Sequence, residues 1–77
     1  MQIKVVLYAT LREKLPRENK GVAILEIPQG SMINDMLVKL DIDALVKCSV
    51  NGEIARDNKR VLNDGDEVQV FRPIGGG

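Results

Sequence analysis

Apolar and polar positions alternate from the start of the chain. Ile3, Val5 and Leu7 share one face, and Gln2, Lys4, Val6 and Tyr8 share the other. The β-branched content predicts a well-buried central strand over residues 2–8. The period then changes. Leu11 and Leu15 stand four apart, which suits one short helical turn capped by Thr10 and stopped by Pro16. Residues 17–20 are polar and run into Gly21, a loop. Residues 21–27 predict a second strand, ended by Pro28, and Pro28-Gln29-Gly30-Ser31 turns the chain into a helix. Ser31 is the natural N-cap there, with Asp35 in the early turns where the macrodipole favours negative charge. Ile33, Met36, Leu37 and Leu40 fall at i, i+3, i+4 and i+7, the core stripe of an amphipathic helix over residues 31–40.

Residues 41–45 fit a loop or short turn. Residues 46–50 predict a third strand, and Asn51-Gly52 supplies the positive φ values that a type I′ hairpin requires. Residues 53–55 form its short return. A charged loop over residues 56–60 follows, and Val61 and Leu62 tuck in before the Asn63-Asp64-Gly65-Asp66 turn. Residues 67–71 alternate again as a last strand. Arg72-Pro73 stops it, because proline has no N–H for the ladder.

The order is strand, strand, helix, short strand pair, strand. One helix covers one face of one sheet, so the fold class is α+β. The economical packing is a single mixed sheet with its first and last strands in the middle, a β-grasp arrangement. Its expected core includes Ile3, Val5, Leu25, Ile33, Leu37, Leu40, Val68 and Val70. The expected division is one domain over residues 1–73 and a flexible glycine tail over residues 74–77.

Composition narrows the function classes. Seventy-seven residues make one small domain with no room for a deep internal pocket. Eleven basic residues balance eleven acidic ones, and Tyr8 and Phe71 are the sole aromatics, so a nucleic-acid partner is not expected. No apolar run approaches membrane-spanning length and no signal peptide opens the sequence, so no membrane partner is expected. A single cysteine, Cys48, cannot form an internal disulfide, which makes the cytoplasm the expected setting. Histidine is absent, and with it the commonest general base and metal ligand, so neither an autonomous enzyme nor a metal site is expected.

The unusual stretch is Gly75-Gly76-Gly77. Glycine orders at the highest backbone entropy cost of any residue, so the run is expected to be mobile. Its chemical asset is the Gly77 α-carboxylate, on a thread thin enough for a narrow channel. Extended from Arg72, that thread reaches roughly 20 Å. A frayed terminus is the alternative. Phe71 and Ile74 form an apolar docking patch beside the tail if both are exposed; a Phe71 turned inward belongs to the core. Cys48, inside an apolar run, is a buried small hydrophobe or a second sulfur handler. The Asp41/Asp43 and Asp64/Asp66 pairs lie in turn signals, as capping or solvated carboxylates or as a cation site.

Three stretches carry a resemblance. They are Leu7-Tyr8-Ala9-Thr10-Leu11-Arg12-Glu13-Lys14-Leu15, then Val50-Asn51-Gly52-Glu53 with Leu62-Asn63-Asp64-Gly65-Asp66-Glu67-Val68, and last Pro73-Ile74-Gly75-Gly76-Gly77. Together the chain resembles the sulfur carriers of the MoaD/ThiS type, ubiquitin-like β-grasp proteins, and most of all the small subunit of molybdopterin synthase. Two positions depart from that pattern. Arg72 stands where the molybdopterin branch often has a second proline or an apolar residue, and Gly75 makes the end a triglycine.

The resemblance implies a carrier that is not itself an enzyme and binds no cofactor. A ubiquitin-activating-like adenylyltransferase would use ATP to adenylate Gly77, and sulfur would then replace AMP to give a thiocarboxylate. The carrier would donate that sulfur in the large subunit of a sulfur-acceptor synthase, with molybdopterin, thiamine or another acceptor as the product. Phe71, Arg72, Pro73, Ile74, Gly75 and Gly76 would meet these partners. Two other classes stay open: a protein modifier conjugated through Gly77, and a plain interaction domain.

Overall fold

The computed structural model describes residues 1–73. The expectations for Ile74, Gly75, Gly76 and Gly77 lie outside those residues. Five strands form one sheet in the order β2-β1-β5-β3-β4. They are β1 Gln2–Leu7, β2 Val22–Glu26, β3 Lys47–Val50, β4 Glu53–Ile54 and β5 Glu67–Phe71, with one α-helix, α1 Ile33–Lys39, between β2 and β3. β1 pairs parallel with β5, and the remaining neighbours pair antiparallel. This is the expected mixed sheet of the β-grasp, with β1 and β5 adjacent in its interior.

Register explains the core. Val5 lies beside Val68 and Leu7 beside Val70 across the β1–β5 ladder. Cys48 and Val50 face the same two valines from β3. A period of two then puts all of these side chains on the same face, which is buried. Ile33, Met36, Leu37 and Leu40 of the helical stripe join that face in one cluster with Ile27, Ile42, Val46 and Leu62.

Several expectations need correction. The helix is capped at Met32, not at Ser31: the Met32 N–H donates to Asp35 Oδ2 at 2.8 Å. The Ser31 hydroxyl turns back instead and donates to the Pro28 carbonyl at 2.7 Å. Thr10 caps nothing either. The turn after β1 is a 3-10 helix, Ala9–Lys14, preceded by Tyr8, and Ala9 itself takes φ 53°. Pro16 does end it, through an extended Leu15. The polar stretch beyond is not plain loop but a second 3-10 turn, Arg17–Asn19. Leu25 is half-buried, because β2 is an edge strand and covers it from one side alone. Val61 is exposed, and only its neighbour Leu62 enters the core.

Gly21 precedes β2, and it has to be glycine. Its φ is +79°, and a Cβ there would stand 2.8 Å from the Leu7 carbonyl oxygen. The Leu7 N–H in turn donates to the Gly21 carbonyl at 2.7 Å. That close approach ties the end of β1 to the start of β2, at the edge of the sheet where β5 also ends.

Candidate functional site at the end of strand β5

β5 runs parallel to β1, so both strands finish at one edge. The last ladder pair of β5 is Lys47 with Phe71. Arg72 and Pro73 follow as a ridge between two grooves. One, of about 440 Å³, is lined by Tyr8, Ala9, Thr10, Phe71, Arg72 and Pro73. The Tyr8 N–H donates to the Val70 carbonyl at 3.2 Å and so holds the first 3-10 turn alongside β5. Phe71 is half-buried: it closes the strand and also offers part of its surface to this groove. The expected exposed and inward positions of Phe71 are therefore both partly realised.

The second groove, of about 570 Å³, is lined by Ala44, Leu45, Val46, Lys47, Arg72 and Pro73. It is built by a clamp. Arg72 Nη1 and Nη2 donate to Asp43 Oδ1 and Oδ2, each at 3.2 Å. Arg72 Nη1 also donates to the Leu45 carbonyl at 3.0 Å. Asp43 Oδ1 accepts the Leu45 N–H at 2.8 Å, so both ends of the clamp hold the Leu45 backbone. The Arg72 hydrogen bonds, then the one from Leu45, hold the Asp43 carboxyl below its ordinary pKa. Leu45 itself is 78% exposed beside this ridge.

Of the expected partner-binding residues, Phe71, Arg72 and Pro73 are thus brought together. Ile74, Gly75, Gly76 and Gly77 lie outside the described residues. Tyr8, Thr10, Asp43 and Leu45 join the site without having been expected there. The Asp-x-Leu spacing at Asp43 and Leu45 hints at a local turn, but no local signal shows that its partner is Arg72.

The remaining candidates resolve into structure. Cys48 is 2% exposed, and burial pushes its thiol up to about 11, which fits a small core hydrophobe. Asp64 accepts the Gln2 N–H at 2.7 Å. Asp66 accepts from Asn51 Nδ2 and from the Asn63 N–H, both at 2.8 Å. Among the described residues no group of histidine, cysteine, aspartate and glutamate side chains could hold a metal, and no helix is long and apolar enough to cross a membrane.

A match to the ThiS family spans residues 5–77, nearly the whole chain. The chain belongs to the ThiS family. This ThiS-family chain is 33% identical over 86 residues to the molybdopterin synthase sulfur carrier subunit of Chlamydomonas reinhardtii, with 100% of both sequences covered. Small archaeal modifier protein 1 of Haloferax volcanii shares its fold at a TM-score of 0.76 and 18% identity, over 95% of this chain and 98% of that one. A chain from the complex of subunits 1 and 2 of the molybdopterin-converting factor of Helicobacter pylori matches at a TM-score of 0.65 and 15% identity, over 100% of both chains. Together these place the ThiS-family chain in the ubiquitin-like β-grasp fold, as its sequence resemblance implies.

Proposed function

We propose that this protein is a sulfur carrier whose Gly77 carboxylate is the working group. The full-length likeness to a molybdopterin synthase sulfur carrier subunit carries this reading. The chemistry balances as follows. A Gly77 carboxylate oxygen attacks the α-phosphorus of ATP on an activating enzyme of the ubiquitin-activating type, and pyrophosphate leaves. Hydrosulfide then attacks the acyl carbon, AMP departs with the activated oxygen, the sulfur loses its proton, and a thiocarboxylate remains. The carrier donates that sulfur in the large subunit of a synthase, and water restores the carboxylate. Molybdopterin is the first candidate product, with thiamine or another acceptor as the alternative.

The described body suits the part of a docking platform. Its one thiol, Cys48, is buried and held protonated. The sulfur chemistry is therefore assigned to the segment from Ile74 to Gly77. Gly75 and Gly76 let backbone approach catalytic groups closely, since they carry no Cβ. Phe71, Arg72, Pro73 and Ile74 meet the partner, and the Tyr8–Phe71 groove gives it an apolar seat. ATP belongs to the activating partner and the carrier holds no cofactor. An unpaired cysteine suits the reducing cytoplasm.

Co-expression with an activating enzyme, followed by intact mass, tests the proposal. One oxygen exchanged for sulfur, confirmed with a thiocarboxylate-selective reagent, is the expected result. The fold of small archaeal modifier protein 1 favours a second reading, conjugation of Gly77 to lysines of other proteins. Higher-mass isopeptide adducts without the sulfur form would favour that reading, and an unchanged mass would leave a plain interaction domain.

A further inference from the structure

We propose that Asp43 is a positioning residue: its carboxylate, holding the Arg72 guanidinium, extends the rigid body past the end of β5 and fixes the point from which the C-terminal segment departs. For its effect on activation, the proposal rests on the carrier reading above. The ladder ends at the Lys47–Phe71 pair. With nothing further, Arg72 would be the first residue free to rotate. Instead its side chain makes three hydrogen bonds to Asp43 and Leu45. The carboxylate that receives it is itself held by the Leu45 N–H. A two-pronged guanidinium–carboxylate pair fixes direction as well as distance. Pro73 follows with φ set by its ring, so the order reaches the last described residue.

The pair sits at the surface, with side-chain exposures of 43% for Arg72 and 56% for Asp43. Ion pairs in that setting contribute little to stability. What the clamp does supply is pre-organisation. It places the root of the segment on the ridge between the two grooves before a partner arrives. Without it, two more residues must be ordered on docking. The expected loss in apparent affinity is limited by what an exposed ion pair can hold, about two- to fivefold. Once docked, the Gly77 carboxylate reaches the same place, so the maximal rate is unaffected.

Asp43→Asn tests this, because it keeps an acceptor for the Leu45 N–H and removes the charge that holds Arg72. Nitrogen-15 relaxation reads the Arg72 backbone amide and side-chain Nε–H. The wild-type Arg72 amide is expected to be as ordered as β5, and both probes are expected to loosen in the variant with the urea midpoint unchanged. In adenylation by an activating enzyme, KM for the carrier is expected to rise about two- to fivefold with kcat unchanged. Unaltered Arg72 dynamics in the variant would overturn the clamp. Loosened dynamics with an unchanged KM, or a loss in kcat alone, would overturn the positioning role. If the wild-type protein is not adenylated at all, the carrier reading fails, and the relaxation data alone decide whether Asp43 sets the limit of the rigid body.

Discussion

The Asn51 side-chain amide donates to the Asp66 carboxylate at 2.8 Å, joining the Val50-Asn51-Gly52-Glu53 hairpin to the Asn63-Asp64-Gly65-Asp66 turn. The same Asn51 accepts the Glu67 N–H at 2.9 Å through Oδ1. Asp66 also accepts the Asn63 N–H at 2.8 Å, and the Asn51 N–H donates to the Glu67 carbonyl at 2.8 Å. Two stretches that carry the family resemblance are therefore halves of one polar staple between β3 and β5. Their role is structural: they hold β5, whose end carries the candidate site.

Replacing Asn51 should show this. Asn51 has φ 53° and Gly52 has φ 87°, the pair of positive values that a type I′ turn needs. Asn51→Gly keeps the turn and removes the side-chain bonds. It should cost about 1–3 kcal/mol, since Asp66 is 8% exposed and loses a partner. Asn51→Ala should cost about 1–2 kcal/mol more, because alanine resists the left-handed region. Urea titration of both variants checks the order. Equal stability of the alanine and glycine variants would show that the backbone requirement is not what selects asparagine.

These contacts mark where local pattern suffices and where it stops. Strand alternation puts Ile3, Val5, Leu7, Val68 and Val70 inside because a period of two leaves no other face for them. The helical stripe and the Asn51-Gly52 turn are legible for the same reason: each is a local rule. Ser31 misleads because the helix starts one residue later, with Met32 at the cap, and the Ser31 hydroxyl donates to the Pro28 carbonyl behind it instead of accepting a helix N–H. The end of the last alternating stretch points to Phe71, Arg72 and Pro73, and the structure groups them. The Asp43–Arg72 pair spans 29 positions, and no local pattern links a loop after a helix to the end of the last strand. Half the site was invisible on that account.

Asp43 should titrate below the ordinary aspartate range, with the Arg72 hydrogen bonds as the main cause and Lys14 as a weaker one. A lowered folded-state pKa means that the clamp is fully formed at neutral pH. It is lost as pH falls through the Asp43 midpoint and protonation removes the charge Arg72 holds. Carboxyl carbon-13 shifts followed against pH give that midpoint directly. In Arg72→Ala the midpoint should move upward towards an ordinary aspartate. A midpoint that stays put in this variant would mean that Leu45, not Arg72, sets the carboxyl.

Cys48 should resist alkylation in the folded protein. Burial raises its thiol from 9.0 to about 11 and leaves 2% of the residue exposed. The thiolate is the reactive form, so both its population and its access are suppressed. The raised folded-state pKa also sets a sign for stability. Its contribution is complete below pH 9 and declines as pH climbs towards about 11, where only the unfolded chain ionises freely. Iodoacetamide labelling at pH 8 should follow the unfolded fraction across a urea series. Labelling of the native protein at the unfolded rate would place Cys48 among the accessible sulfur-handling groups after all.

Under the proposed carrier function, removing Gly77 separates two ways for the activating partner to recognise this chain. The shortened chain still ends in diglycine, Gly75-Gly76. If the partner reads the terminal motif alone, adenylation should proceed normally. If it docks the body at the Arg72–Pro73 ridge and measures distance from there, the carboxylate falls short by up to about 3.5 Å. Misplacement by about 1 Å already costs a reaction on the order of a hundredfold, because the attacking oxygen is no longer held in line with the α-phosphorus. The expected result is strong impairment rather than complete loss. The impairment should appear in kcat, whereas Asp43→Asn should appear in KM, because one change alters the reach of the segment and the other alters only its starting order. Pyrophosphate release by the activating enzyme measures both, with a chain extended beyond Gly77 as the inactive control. Near-normal kcat for the shortened protein would show that the motif, and not its distance from the folded body, is what the partner recognises.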